Sequence, residues 1–134
     1  MELRIYYEDT DAAGVVYHAN YLKYFERART EFFRQRGQYV AELAASGFVF
    51  PVVRMEIDFK FPARHDDLLH VATIPTRVGG SSFCLRQRIT RKNDGCLLVD
   101  ALVTLACVGS ELKARRMPVE VRQILAAEVC AGDA

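Results

Sequence analysis

The stretch IYYEDTDAAGVVYHANYLKYFERAR, residues 5–29, decides how the rest of the chain has to fold. Ile5, Tyr6 and Tyr7 are strand-favouring, so residues 2–8 are expected to form a strand. Asp9, Asp11 and Gly14 then read as a loop, with a helix starting near His18 to Asn20. From Asn20 to Arg36 the residues Tyr21, Leu22, Tyr24, Phe25, Ala28, Phe32 and Phe33 recur at helical spacing and fill roughly half of a helical wheel. Lys23, Arg27, Glu31 and Arg34 take the other side, and Gly37 is a natural stop. A helix so thickly covered with aromatics must pack on something broad, and a sheet is the candidate. Glu26 and Arg29 fall at or inside the edges of the apolar arc, three residues apart, where they could pair to steady the helix or take a role near the site.

The sheet is legible downstream. Val53, Met55, Ile57, Phe59 and Phe61 alternate with Arg54, Glu56, Asp58 and Lys60, a clean period of two. A turn over 62–67 leads to a strand from Leu68 to Val78, in which Pro75 marks a bulge or an edge. Gly79-Gly80-Ser81 signals a hairpin, and the strand after it ends at the turn Asn93-Asp94-Gly95. Leu97 to Val108 is almost continuously apolar, as expected of a strand covered on both faces. Residues 39–46 hold a helical turn or two, and the tail 118–134 another turn. The expectation is one α+β domain over residues 1–134, with a long helix wrapped by about five antiparallel strands. One helix cannot cover both faces of such a sheet, so self-association is the economical way to cover the remainder.

Composition narrows the function. With 18 basic and 17 acidic residues the formal charge is +1, which gives no bulk field for nucleic acid. The cysteines Cys84, Cys96, Cys107 and Cys130 lack CxxC spacing, which favours reduced, buried thiols over zinc or redox chemistry. No basic-then-apolar leader opens the sequence and no apolar run is long enough to span a bilayer, so a cytoplasmic protein is expected. Asp9, Asp11 and Gly14 begin like an EF-hand loop. The template then fails, with Ala13 at the third ligand position and Asn20 where a bidentate Glu is required. No metal is expected. Ser81, Ser82 and Cys84 lack the context of a hydrolytic nucleophile. What remains is Asp11 beside a helix start, where unpaired backbone N–H groups and a partial positive charge face a potential base or nucleophile. An Asp before a helix is also a common turn former or cap.

Tyr7 to Tyr21, continuing through Phe25-Glu-Arg-Ala-Arg-Thr-Glu31, resembles the signature of the hot-dog-fold acyl-CoA thioesterases of the 4-hydroxybenzoyl-CoA type. The likeness is most specific to the group associated with the bacterial Tol–Pal system, and it runs on through residues 53–54, 62–67, 82–83, 88–89 and Pro118. The resemblance implies a helix wrapped by an antiparallel sheet and a homodimer or homotetramer. It implies Asp11 as catalytic base or nucleophile, and the His18 amide as the group that polarises the thioester carbonyl. Tyr7 and the His18 side chain would be active-site neighbours. Gly14, Tyr17, Ser82, Lys113 and Arg115 would contact substrate, whose coenzyme A portion makes a separate cofactor unnecessary. One departure is the turn 78–81, which lacks the basic residues that the 4-hydroxybenzoyl-CoA enzyme uses on phosphate. A rival reading is a non-catalytic module that binds acyl-CoA or acyl carrier protein at an envelope complex.

Overall fold

In the computed structural model, residues 1–129 are described; Cys130 and the end of the tail lie outside them. The elements run β1 (Glu2–Arg4), a 3-10 turn at Tyr7–Asp9, α1 (Asn20–Arg34), α2 (Val40–Ala45), β2 (Val52–Phe59), β3 (Leu68–Val78), β4 (Ser82–Arg91), β5 (Leu97–Ala106) and α3 (Val119–Ala127). The five strands form one sheet in the order β1-β3-β4-β5-β2, every pair antiparallel.

Tyr21, Tyr24, Phe25, Ala28, Phe32 and Phe33 of α1 are buried, and these are the residues that helical periodicity assigned to the packed face. Leu22 is the exception, largely exposed at the helix flank. They meet the inner face of the sheet, where Val71, Phe83, Leu85, Ile89, Val99, Ala101, Val103 and Leu105 are buried. Among the described residues Gln87 is the one buried polar side chain in this core (0% exposed), and its amide is fully engaged. Its Nε2 donates to the Phe25 carbonyl (3.0 Å) and to Thr73 Oγ1 (3.1 Å), while Oε1 accepts from Arg29 Nη1 (3.0 Å). Arg29 therefore reaches under the helix to the sheet and forms no ion pair with Glu26, which instead accepts from Thr30 Oγ1. A fixed amide partner at the centre of the sheet outcompetes a flexible acid on the same helix.

Several expectations change. The first strand is only three residues long, because Tyr7 to Asp9 curl into the 3-10 turn. Pro75 sits both at a bulge, where the register shifts between Pro75 and Arg77, and beyond the reach of β1, which pairs only with 68–70. β5 is flanked by strands on both sides, but only its inner face is fully covered; Asp100, Leu102, Thr104 and Ala106 on the other face are half-buried. The tail makes nine residues of helix, α3, which buries Val121 and Leu125 in the common core. Arg36 ties α1 to α3 through its ion pair with Glu128. Of the described cysteines Cys107 is buried, whereas Cys84 and Cys96 are half-buried, and all three are free thiols.

Candidate active site

The segment from Thr10 to Val16 closes as a tight hairpin-like loop. Thr10 and Val16 form a bridge, the Asp11 N–H donates to the Val15 carbonyl (2.9 Å), and the Gly14 N–H donates to the Asp11 carbonyl (3.0 Å). Gly14 has φ +80°, the left-handed conformation that ends a type I turn in such loops and that only glycine adopts without strain. Inside the loop the Asp11 carboxylate is fixed by its own turn, since Oδ1 accepts from the Ala13 N–H at 2.8 Å. Among the described residues Oδ2 has no hydrogen-bond partner. The side chain is thus oriented yet keeps one oxygen available. It is also exposed, and that differs from the acid in a buried pocket that the chemistry invites.

Two bonds tie the base of this loop to the segment that opens α1. The Asp9 carbonyl accepts from the Tyr17 N–H (3.0 Å) and from Asn20 Nδ2 (2.9 Å). The helix then starts through tight turns, with Asn20, Tyr21 and Leu22 donating to the carbonyls of Tyr17, His18 and Ala19. The N–H groups of His18 and Ala19 meet no acceptor among the described residues. These are the orphan donors of the helix start, and they are available to an anionic oxygen.

Beside them lies a cleft of about 230 Å³ lined by Val16, His18, Tyr21, Phe59, Lys60, Phe61 and Pro62. Its walls are mainly aromatic. The His18 ring stands edge-on to Phe59 (6.2 Å) and tilted against Tyr17 (4.7 Å). Tyr21 is buried and accepts from the Ala63 N–H at 3.1 Å; burial pushes its hydroxyl pKa upward, so it stays a neutral hydroxyl. Phe59 and Phe61 are about half exposed on the open side.

The other expected site residues separate into groups. Tyr7 is 80% exposed on the 3-10 turn, edge-on to His65, and so is no core aromatic. Tyr17 flanks His18 at the cleft. Ser82 opens β4 and accepts from Arg77 Nη2 (3.2 Å). Lys113 is exposed near Glu111, and Arg115 is engaged elsewhere, donating to the Gly47 carbonyl (2.9 Å) with its guanidinium 3.9 Å above the Phe48 ring. Arg115 thus closes the end of α2. Asp9 and Asn20, which the sequence places in the loop and at the helix start only as positions of a failed calcium template, meet through a backbone carbonyl, an acceptor that carries no residue signature. Tyr24 was assigned to the core, but its polar end also counts. Its buried hydroxyl lies close enough to the Asp9 carboxylate that burial first, and that carboxylate second, raise its pKa, although no well-formed hydrogen bond joins them. Among the described residues no three His, Cys, Asp or Glu side chains converge as metal ligands.

A long helix wrapped by a five-stranded antiparallel sheet defines the hot-dog class of α+β proteins. Solved structures share it: a probable thioesterase from Bartonella henselae superposes with TM-score 0.83 at 42% identity over 88% of this chain and 97% of that one. A 1,4-dihydroxy-2-naphthoyl-CoA thioesterase from Synechocystis does so with TM-score 0.88 at 26% identity, covering 94% and 93% of the two chains. The acyl-CoA thioester hydrolase YbgC of Escherichia coli O6:H1 is 42% identical over 117 residues, 87% of each chain. The sequence profile of the thioesterase superfamily matches residues 13–98, and the chain belongs to that family of hydrolases.

Proposed function

We propose that this protein hydrolyses acyl-CoA thioesters to the free acid and CoA, with Asp11 as the reacting carboxylate and the start of α1 as the oxyanion site. The observation that carries the reading is the pairing, on one pinned loop, of a carboxylate with a free oxygen and two unsatisfied amides at a helix start. Similarity to the hydrolase YbgC over most of the chain supports the substrate class.

Hydrolysis of a thioester builds negative charge on the carbonyl oxygen. The His18 amide, with Ala19 beside it, meets that charge without reorganising, and one such donor is worth about 3–4 kcal/mol in the transition state. As a general base, Asp11 Oδ2 takes a proton from water while the water oxygen bonds to the acyl carbon. The tetrahedral intermediate then collapses, breaking the C–S bond, and the proton goes to the departing sulfur. As a nucleophile, the same oxygen bonds to the acyl carbon and expels the thiolate, and water cleaves the resulting anhydride. Either route uses the same atoms. The aromatic cleft beside His18 takes the acyl group, with the His18 ring and Tyr17 at its mouth. Tyr7, exposed on the turn before the loop, and Gly14, which shapes it, complete the neighbourhood. For the CoA portion, Ser82 and Lys113 are the surface contacts; Arg115 contributes only by giving up its bond to Gly47.

The reading includes a second copy of the chain. β2 is an edge strand with a free side, and Val52, Val53, Phe59 and Phe61 are exposed along and beyond it. Because Phe59 is also a wall of the cleft, assembly on this edge would enclose the acyl group.

The test is thiol release across acyl-CoA substrates of graded chain length and aromatic content. Saturable turnover of at least one supports the reading. Tight binding of acyl-CoA or acylated carrier protein with no thiol released across the series would favour the non-catalytic binding module instead.

A further inference from the structure

We propose that Asn20 is a positioning residue of this hydrolase, acting through the Asp9 carbonyl to hold the Asp11 loop in register with the His18 amide; the proposal rests on the thioesterase reading above. The geometry is specific. The Asp9 carbonyl lies at the entry to the loop, and both of its donors, the Tyr17 N–H (3.0 Å) and Asn20 Nδ2 (2.9 Å), lie beyond the exit. Asp11 is two residues past the clamped acceptor, and His18 is one residue past the clamped amide. The clamp therefore spans the shortest covalent route between the two halves of the site.

Among the described residues no other hydrogen bond of the loop does this. The Thr10–Val16 bridge and the Asp11–Val15 bond shape the loop internally, and the Asp9 carboxylate is turned back to cap the Tyr6 N–H at 2.8 Å. Among the described residues the Asn20 Nδ2–Asp9 carbonyl bond is the well-formed hydrogen bond between this loop and α1, the Tyr24 hydroxyl of α1 lying close to the Asp9 carboxylate without one. The Tyr17 N–H also depends on this acceptor. With Tyr17 engaged, the next two amides, His18 and Ala19, are the ones left without an acceptor among the described residues.

A shift of about 1 Å between carboxylate and amide can cost on the order of a hundredfold in rate while leaving substrate affinity intact. The experiment compares Asn20→Ala with Asn20→Leu, which restores the lost volume without the donor. Both should lower kcat about ten- to a hundredfold with KM for acyl-CoA within about twofold of wild type. Hydrogen exchange at the Tyr17 amide should accelerate in both, while exchange in the middle of α1 stays unchanged. Wild-type kcat in either folded variant overturns the proposal, as does a loss of kcat with Tyr17 exchange unaltered. If one variant fails to fold, the other decides. Failure of the thioesterase reading looks different: the wild-type protein itself would release no thiol.

Discussion

Asp11 is a small-angle device. Its Oδ1 is spent on the Ala13 amide, so the rotamer is set before substrate arrives, and Oδ2 faces outward with no competing donor among the described residues. A carboxylate on a mobile loop would lose most of its effective concentration; this one is fixed by a two-residue turn and a glycine at positive φ. The neighbouring Asp9 shows the opposite use of the same side chain, turned inward as a cap. Tyr24 completes the contrast. Its hydroxyl is buried beside Asp9 without a well-aligned hydrogen bond, so it carries a desolvation cost that little offsets. Replacing it removes the cost along with the group. Tyr24→Phe should leave thermal stability unchanged or raise it by up to about 1 kcal/mol, read by denaturant unfolding. A loss greater than that would mean that the Asp9–Tyr24 contact is a real bond in solution.

At the scale of elements, α1 is held to the sheet by an aromatic face and one polar pin. The aromatic face was legible from spacing alone, since Tyr21, Tyr24, Phe25, Ala28, Phe32 and Phe33 are the buried residues of α1. The pin was not. Arg29 looked like a partner for Glu26 because sequence shows only neighbours on the same helix, whereas Gln87 lies 58 residues away. Gln87 sits on the central strand, and its amide engages the helix backbone, a β3 hydroxyl and Arg29 together. Gln87→Leu would leave a half-buried guanidinium without its acceptor and should destabilise the fold by about 2–3 kcal/mol, measured by urea unfolding. A change below about 0.5 kcal/mol would show that water replaces the amide. The strands were read within a residue or two from Leu68 onward because alternation and turn residues agree there. The first strand was overread: Tyr6 and Tyr7 favour strands intrinsically, but the Asp9 cap bends the backbone into a 3-10 turn. Likewise the resemblance implied Lys113 and Arg115 as substrate contacts, and only packing reveals that Arg115 is bound to Gly47 and Phe48.

The whole molecule leaves surface that its own elements do not cover. β2 exposes its free edge and Val52, Val53 and Phe59, and the outer face of β5 is only half-buried at Leu102 and Ala106. Such an edge recruits another strand unless it is blunted, and here only Arg54, Glu56 and Asp58 interrupt it. Sedimentation velocity at micromolar concentration should therefore report a species at least twice the 15.2 kDa chain mass; a monomer would mean that the edge is guarded well enough by those charges. The need for a cover was legible in the sequence, from a sheet with apolar residues on both faces and one helix to meet them. Which edge stays open was not, because strand order follows from pairing across the whole chain.

These scales meet at one atom, the free oxygen of Asp11. The most direct test is steady-state thiol release by Asp11→Asn alongside acyl-CoA binding by calorimetry, since the amide keeps the acceptor for Ala13 and removes the base. The account predicts that kcat falls by about 10²–10⁴-fold with binding and thermal midpoint close to wild type. An Asp11→Asn protein that turns over acyl-CoA at the wild-type rate would contradict it.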